Sequence, residues 1–308
     1  MENEEILQDV SEAPAPEAPV KAKKSVNQKL LWDIIITILL SLGAVVMLVP
    51  FAWLILAVCK VDTELYTTIF PKTWSLSSFS VMWKNTQVTM QNNAGIIRAI
   101  LNSILMTVPV VVVQIVVSAF AAYAFAKLKF VGKNIIFLVL LGTMMIPYAV
   151  FMLPQVSWYS TLGLTRVGPL AVIIPKFFGS IGTVFFLRAF FYGIPDSITE
   201  AARLDGAGYT KTFVSVLLPL VMPAIATQAI LSFIGNWNDY LGPMLLIPSS
   251  AASWQPLPVV ISRMTGAYNS DIQAQLAASL ISLVPIIVVF AIFQKKIVGS
   301  IVFSAVKG

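Results

Sequence analysis

The sequence predicts an all-α polytopic membrane protein with six transmembrane helices, and three observations carry that prediction. Hydrophobic residues make up 58% of the 308-residue chain and charged residues 11%, against about 25% charged residues in a soluble domain. Six apolar runs, 31–59, 99–125, 135–153, 170–191, 213–247 and 276–293, match or approach the roughly 20 residues that cross a bilayer as a helix. The polar residues between them fall mostly in short segments, apart from two longer ones, 60–98 and 248–275.

Taken in order, residues 1–29 are polar, with early acids (Glu2, Glu4, Glu5, Asp9, Glu12, Glu17), a middle rich in alanine and proline, and late lysines. That composition predicts a disordered tail beside the membrane. The first apolar run is too long for a signal h-region and has no small-x-small cleavage site, so it reads as a retained span. Segment 60–98 is expected as one outer loop, with Tyr66, Trp74 and Trp83 placed to lie at the interface. The second run carries a dense stretch of small residues, Ser118 to Ala124, which allows close helix contact.

Segment 127–134 is a short turn, and 192–212 is a polar inner loop. The fifth run is longer than a span requires, so it should end in an outer excursion after Trp237. Segment 248–275, rich in serine, proline and alanine, is expected to be irregular. Most spans hold proline (Pro50, Pro109, Pro147, Pro175, Pro219, Pro223, Pro285). In lipid the freed carbonyls need compensation, either as ordinary kinks or along a solvated pathway.

Lysine and arginine set the orientation. Lys21, Lys23, Lys24, Lys29, Lys127, Lys129, Lys133, Arg188, Arg203, Lys211, Lys295, Lys296 and Lys307 fall on one side, mainly in short loops and span edges. Lys60, Lys72, Lys84, Arg98, Arg166, Lys176 and Arg263 are spread over longer outer segments. Both termini are therefore expected in the cytoplasm. The chain has no histidine and one cysteine, Cys59. That removes the commonest general base and excludes an internal disulfide.

The most informative stretch is Glu200 to Pro219. Ser197-Ile198-Thr199-Glu200 has the form of a capping box. Pro195 breaks the preceding helix, and Gly206 is the residue for which a left-handed helix stop costs least. Glu200 and Arg203 are spaced for an i,i+3 ion pair. By itself this is an ordinary surface helix with Glu200 as its cap. The nearest phosphate-loop pattern, Gly206 to Thr212, lacks the glycine that should precede Lys211.

The longer pattern carries more. Glu200-Ala201-Ala202, three residues, Gly206, nine residues, then Val216-Leu217-Leu218-Pro219 resembles the cytoplasmic signature of ABC importer permeases. Asn102-Ser103, Ala121 to Ala126, Met144 to Pro147, Phe185 to Arg188, Ile194-Pro195 and Trp237 to Tyr240 extend the resemblance toward carbohydrate-uptake permeases of the maltose type. Gln294 and the closing Ala305 to Gly308 are similar to the shorter of that system's two permease subunits.

The resemblance covers about 95–308 and implies a type I importer permease core over 30–308. It implies that Glu200, Ala201, Ala202, Asp205 and Gly206 form a coupling helix seated in a cytoplasmic ATPase. Gln294, Lys307 and Gly308 would reach toward the ATPase pair. Segment 248–275 matches in position the loop that probes a sugar-binding protein. The implied partners are a second permease subunit, paired ATP-binding subunits and an extracytoplasmic sugar-binding protein. ATP and magnesium would belong to the ATPase, with no cofactor and no nucleic acid on this chain.

Polar residues inside the apolar runs are the candidates for a substrate path: Lys176, Gln228, Asn236, Asn238 and Asp239. A lysine within the bilayer costs about 2.5–3.5 kcal/mol at the centre, so Lys176 either snorkels outward or faces a solvated path. Amides, carboxylates and aromatic faces suit sugars, and Asn236-Trp237-Asn238-Asp239 offers all three, although helix packing would use the same residues. Three other classes compete. A stand-alone secondary transporter needs midplane carboxylates, for which Asp239 and, near the inner edge, Asp33 are the candidates. An intramembrane enzyme lacks its motifs here. An importer for amino acids, peptides or a polyol phosphate shares the Glu-Ala-Ala loop, and the sequence does not name the cargo.

Overall fold

In a computed structural model, residues 26–264 and 271–305 are described, with side chains over 30–264 and 271–294. Among them every regular element is helical. Two bodies divide at Trp53 and Leu54. The first holds most of α1 (Val26–Val58), whose side chains from Leu30 to Trp53 are all exposed. Such a helix, apolar on every side, is what a lipid-facing span requires. The expected tail 1–29 lies outside the described residues up to position 25, and α1 begins at Val26.

The second body is organised around α3 (Gly95–Lys127), whose 33 residues extend about 50 Å at 1.5 Å per residue. At its C-terminal end α3 packs on α7 (Ile181–Tyr192) and α10 (Leu218–Trp237) through Ala119, Ala122, Leu187, Phe191, Leu217 and Ala224. The small side chains of 118–124 make this possible. Ser118 and Ala122 are fully buried, and a Cβ on Gly179 would meet Ser118 Oγ at 3.2 Å. At its N-terminal end α3 joins α2 (Ser77–Met90), α12 (Leu257–Arg263) and α13 (Ile272–Ala305) through Met90, Ala99, Trp237, Leu257, Ala274 and Ala278.

Among the described residues five helices are long and apolar enough to cross a membrane, and a bent pair makes a sixth when counted as one broken span. That pair corrects the expected third span. The run 135–153 is not one helix but α4 (Lys133–Met144) and α5 (Tyr148–Thr161), which meet at 95°. Pro147, at φ −58° and ψ 135°, cannot donate to α4 and forces its neighbour out of helical geometry. The fourth run is interrupted too. α6 (Leu170–Ile173) tightens into a 3-10 turn, Ile174–Phe178, and Gly179 at φ +97° precedes α7.

Two loops are more ordered than expected. Segment 60–98 contains α2. Segment 248–275, expected to be irregular, contains the 3-10 turn Ser249–Trp254 and then α12, whose Leu257, Val259 and Val260 are fully buried. Composition misleads there because Pro256 and Pro258 start a helix as readily as they break one. The fifth run does end at Trp237, followed by a short α11 (Leu241–Leu246). Before it, the turn α9 (Tyr209–Lys211) leads into a π stretch, Thr212–Leu217, where Leu218 N–H reaches Phe213 O. The widening falls just before Pro219, which has no N–H to continue the regular ladder.

Candidate functional site

Two sites emerge, one beyond the C-terminal end of α3 and one beside its middle, at Gln114. The first is α8 (Asp196–Leu204), between α7 and α9. Its start differs from expectation. Pro195 holds the cap position without a side-chain bond, and Ser197 lies two residues past it, inside the helix. Asp196 takes the first helical position, where a carboxylate suits the helix dipole. The C-terminus matches expectation. Gly206 sits at φ +76°, its N–H bonds Arg203 O at 3.0 Å, and Ala207 N–H bonds Ala202 O at 2.9 Å. These two bonds form a Schellman stop.

Thr199 and Ala202 face inward and are buried, while Glu200, Ala201, Arg203, Leu204, Asp205 and Gly206 are exposed. The expected Glu200–Arg203 pair does not form. The Arg203 guanidinium stacks on the Tyr209 ring at 5.1 Å, which places it under the turn rather than along the helix. Leu204 is 90% exposed, an apolar side chain on the outer face that a charge pattern does not reveal.

The helix is held from both sides by α3. Lys127 Nζ donates to Ile194 O at 2.5 Å and to Asp196 Oδ1 at 2.6 Å, at the entry to α8. Tyr123 OH donates to Tyr209 O at 3.3 Å, just past its exit. The Lys127 side chain is 4% exposed and that of Asp196 79%. The hydrogen bond and charge of Lys127 hold the Asp196 carboxyl below its ordinary value. Arg188 adds a bond from Nε to Phe125 O and lies over the Phe137 ring. Gln294 is exposed and donates to Ala291 O in its own helix. Lys307 and Gly308 lie outside the described residues.

The second site gathers three of the five expected path residues. Lys176, on the 3-10 turn, donates to Asp239 Oδ2 at 2.7 Å and to Asn236 Oδ1 at 2.9 Å. Lys176 therefore has a charge partner and an amide partner within the fold. Asp239 Oδ1 also accepts from Gly242 N–H at 3.2 Å, which orients the start of α11. Beside this pair lies a cavity of about 390 Å³, lined in part by Gln114, Tyr148, Gln155, Lys176 and Asp239.

Gln114, Tyr148 and Gln155 were not anticipated, because Gln114 lies in the second run while Tyr148 and Gln155 share α5, which follows the bend at Pro147. Tyr148 OH donates to Gln155 Oε1 at 3.2 Å, Gln155 Nε2 to Tyr159 OH at 2.9 Å, and Ser232 Oγ to Gln114 Oε1 at 2.6 Å. Two other expected residues stand apart. Asn238 is exposed and bonds Ile234 O, closing its own helix, and Gln228 accepts from Thr183 Oγ1 at 3.3 Å. Trp237 is 1% exposed, stacked on Phe233 and bonded to Ser282 O. It is a core residue with no ring face to offer a ligand.

Against known proteins, residues 114–301 match the family described as "Binding-protein-dependent transport system inner membrane component". The chain is 31% identical over 292 residues to the arabinooligosaccharides transport system permease protein AraQ of Halalkalibacterium halodurans, covering 93% of this chain and 100% of that one. It is 35% identical over 230 residues to the trehalose transport system permease protein SugB of Mycobacterium tuberculosis, covering 72% and 83%. A crystal structure of a bacterial ABC transporter involved in the import of the acidic polysaccharide alginate contains a chain of the same fold. It has a TM-score of 0.63 and 22% identity, covering 87% of this chain and 97% of the other.

Proposed function

Because this chain belongs to the family of binding-protein-dependent transport system inner membrane components, we propose that it forms half of the path of an ATP-driven importer for a sugar or oligosaccharide. The protein is a multi-pass inner-membrane permease of the carbohydrate-uptake ABC type, all-helical with the importer permease fold. Its cargo is delivered by an extracytoplasmic binding protein. A second permease subunit completes the path. Paired ATP-binding subunits hold ATP and magnesium and hydrolyse it, and this chain holds no nucleotide and carries no catalytic site.

In this reading α8 is the coupling helix and faces the cytoplasm, together with both termini. The observation that carries it is the mounting of α8. Its outer face (Glu200, Ala201, Arg203, Leu204) is bare, while Lys127 and Tyr123 tie its two ends to α3. A partner that displaces α8 therefore pulls on a helix that runs the length of the second body. Gln294, Lys307 and Gly308 are assigned to the same ATPase-facing side. The Lys176 cluster, with Gln228 further along α10, lines the path, and Asn238 stands at its rim.

The test is uptake by the whole transporter in proteoliposomes, with ATP hydrolysis measured in parallel. Glu200→Lys reverses a charge on the bare face, and Gly206→Pro removes the left-handed stop. Both variants should assemble into the membrane and lose coupling, so that hydrolysis no longer drives uptake. Normal coupled uptake in both would refute the assignment of α8.

A further inference from the structure

We propose that the cavity beside Lys176 takes an uncharged polyhydroxyl unit of the cargo and excludes carboxylated or phosphorylated cargo, with the Lys176–Asp239 pair as the element that decides. This rests on the importer reading and adds the chemical class of cargo that this chain's own wall accepts.

The argument begins with charge. The cavity of about 390 Å³ is lined by one cation and one anion, Lys176 and Asp239, and its other lining residues carry no charge. The two are in contact at 2.7 Å, with side chains 30% and 23% exposed. An anionic ligand would meet a lysine already neutralised by Asp239, and would either compete with that carboxylate for it or face the carboxylate's own charge. Removing one partner of a partly buried pair is unfavourable because the remaining charge is left without its counter-charge. A neutral ligand meets no such penalty.

The remaining groups suit hydroxyls. Lys176 has used two of its three donors, on Asp239 and Asn236. Gln114 accepts from Ser232 through Oε1, and the residue belongs to the same cavity lining. Tyr148, 50% exposed, presents a ring as well as a hydroxyl. Donors of fixed direction beside an aromatic face are what a sugar ring requires, a polar rim on a weakly apolar disc. The volume lies in the lower part of the roughly 300–1,000 Å³ range of small-molecule pockets, enough for a small part of an oligosaccharide at a time.

The pair is also held rigidly. Asp239 is fixed by Gly242 N–H, and a Cβ at Gly242 would lie 2.9 Å from its carboxylate. Lys176 is fixed by the 3-10 turn between Ile173 and Gly179. Selectivity therefore depends on two residues whose geometry is set by two separate backbone features.

The experiment measures ligand-dependent melting shifts of the purified transporter, this chain with its partner subunits. The probes are trehalose, arabinobiose and maltose as neutral sugars, and digalacturonate and glycerol 3-phosphate as anions. The wild type should be stabilised by at least one neutral probe and by neither anion. Asp239→Asn, which keeps an oxygen for Gly242 N–H, frees the charge of Lys176 and should gain stabilisation by the anions. The double variant Lys176→Gln with Asp239→Asn restores neutrality and should lose that gain. The inference is overturned if an anion stabilises the wild type, if no probe does, or if Asp239→Asn lowers the melting temperature without changing selectivity. Uptake by the wild-type transporter, measured alongside, judges the importer reading separately, since sugar uptake with unchanged selectivity in the variants overturns this inference alone.

Discussion

Lys127 and Asp196 show how much one ion pair can organise. Lys127 is buried along its stem and delivers its ammonium to Ile194 O and the Asp196 carboxylate at the entry to α8. Neither neighbour in sequence announces this, because they lie 69 residues apart. The carboxyl of Asp196 is lowered from its ordinary 3.8 by the hydrogen bond and charge of Lys127. A depressed carboxyl stabilises the folded arrangement at every pH above its unfolded value and loses that contribution as pH falls through its folded one. The attachment of α8 should therefore be constant from pH 8 down to about 5 and weaken only below about pH 4. A spin label on Leu204→Cys reports it: mobility should rise in that acid range, and Lys127→Met should raise mobility at all pH values and remove the acid step.

At the scale of elements, the contact of α3 with α7 sets the geometry of both sites. Ala122 and Leu187 are both fully buried there, and the small side chain at 122 fixes how closely the helices approach. Ala122→Leu adds methylene groups to a filled interface and should destabilise by about 1–3 kcal/mol, seen as a lower melting temperature of the purified protein. The other end of α3 is tied by polar bonds. Asn102 Nδ2 donates to Ser253 O at 2.8 Å and Gln255 O at 3.1 Å, Ser103 Oγ accepts from Leu257 N–H at 2.8 Å, and Arg98 lies 4.6 Å over the Trp254 ring. Asn102→Ala leaves two carbonyls without their donor, at about 1–3 kcal/mol for a buried polar group. Segment 249–257 should then be cut faster by protease while the membrane helices stay intact.

At the scale of the whole molecule, the two tied ends of α3 explain why the legible parts were legible. Composition and apolar run length predicted the helical membrane class, the residue pattern from Glu200 to Pro219 carried the family resemblance, and Gly206 gave the helix stop, because each depends on local chemistry: burial in lipid, spacing along one segment, and a left-handed backbone. The capping box failed for the same reason in reverse. Ser-x-x-Glu is a local pattern, but Pro195 and the Lys127–Asp196 contact had already placed the helix start. The third and fourth runs looked continuous because hydropathy is blind to a 95° turn at Pro147 and to the left-handed Gly179. Segment 248–275 looked irregular because burial of Leu257, Val259 and Val260 against other elements cannot be read from composition. The sequence by itself determined a polytopic helical permease and the position of α8, since solvent and backbone preference act residue by residue. Only the tertiary structure decided which polar groups meet: Lys176 with Asp239 and Asn236, Gln114 with Ser232, and Trp237 in the core. Those pairings join segments tens of residues apart, and helix packing alone brings them within hydrogen-bond reach.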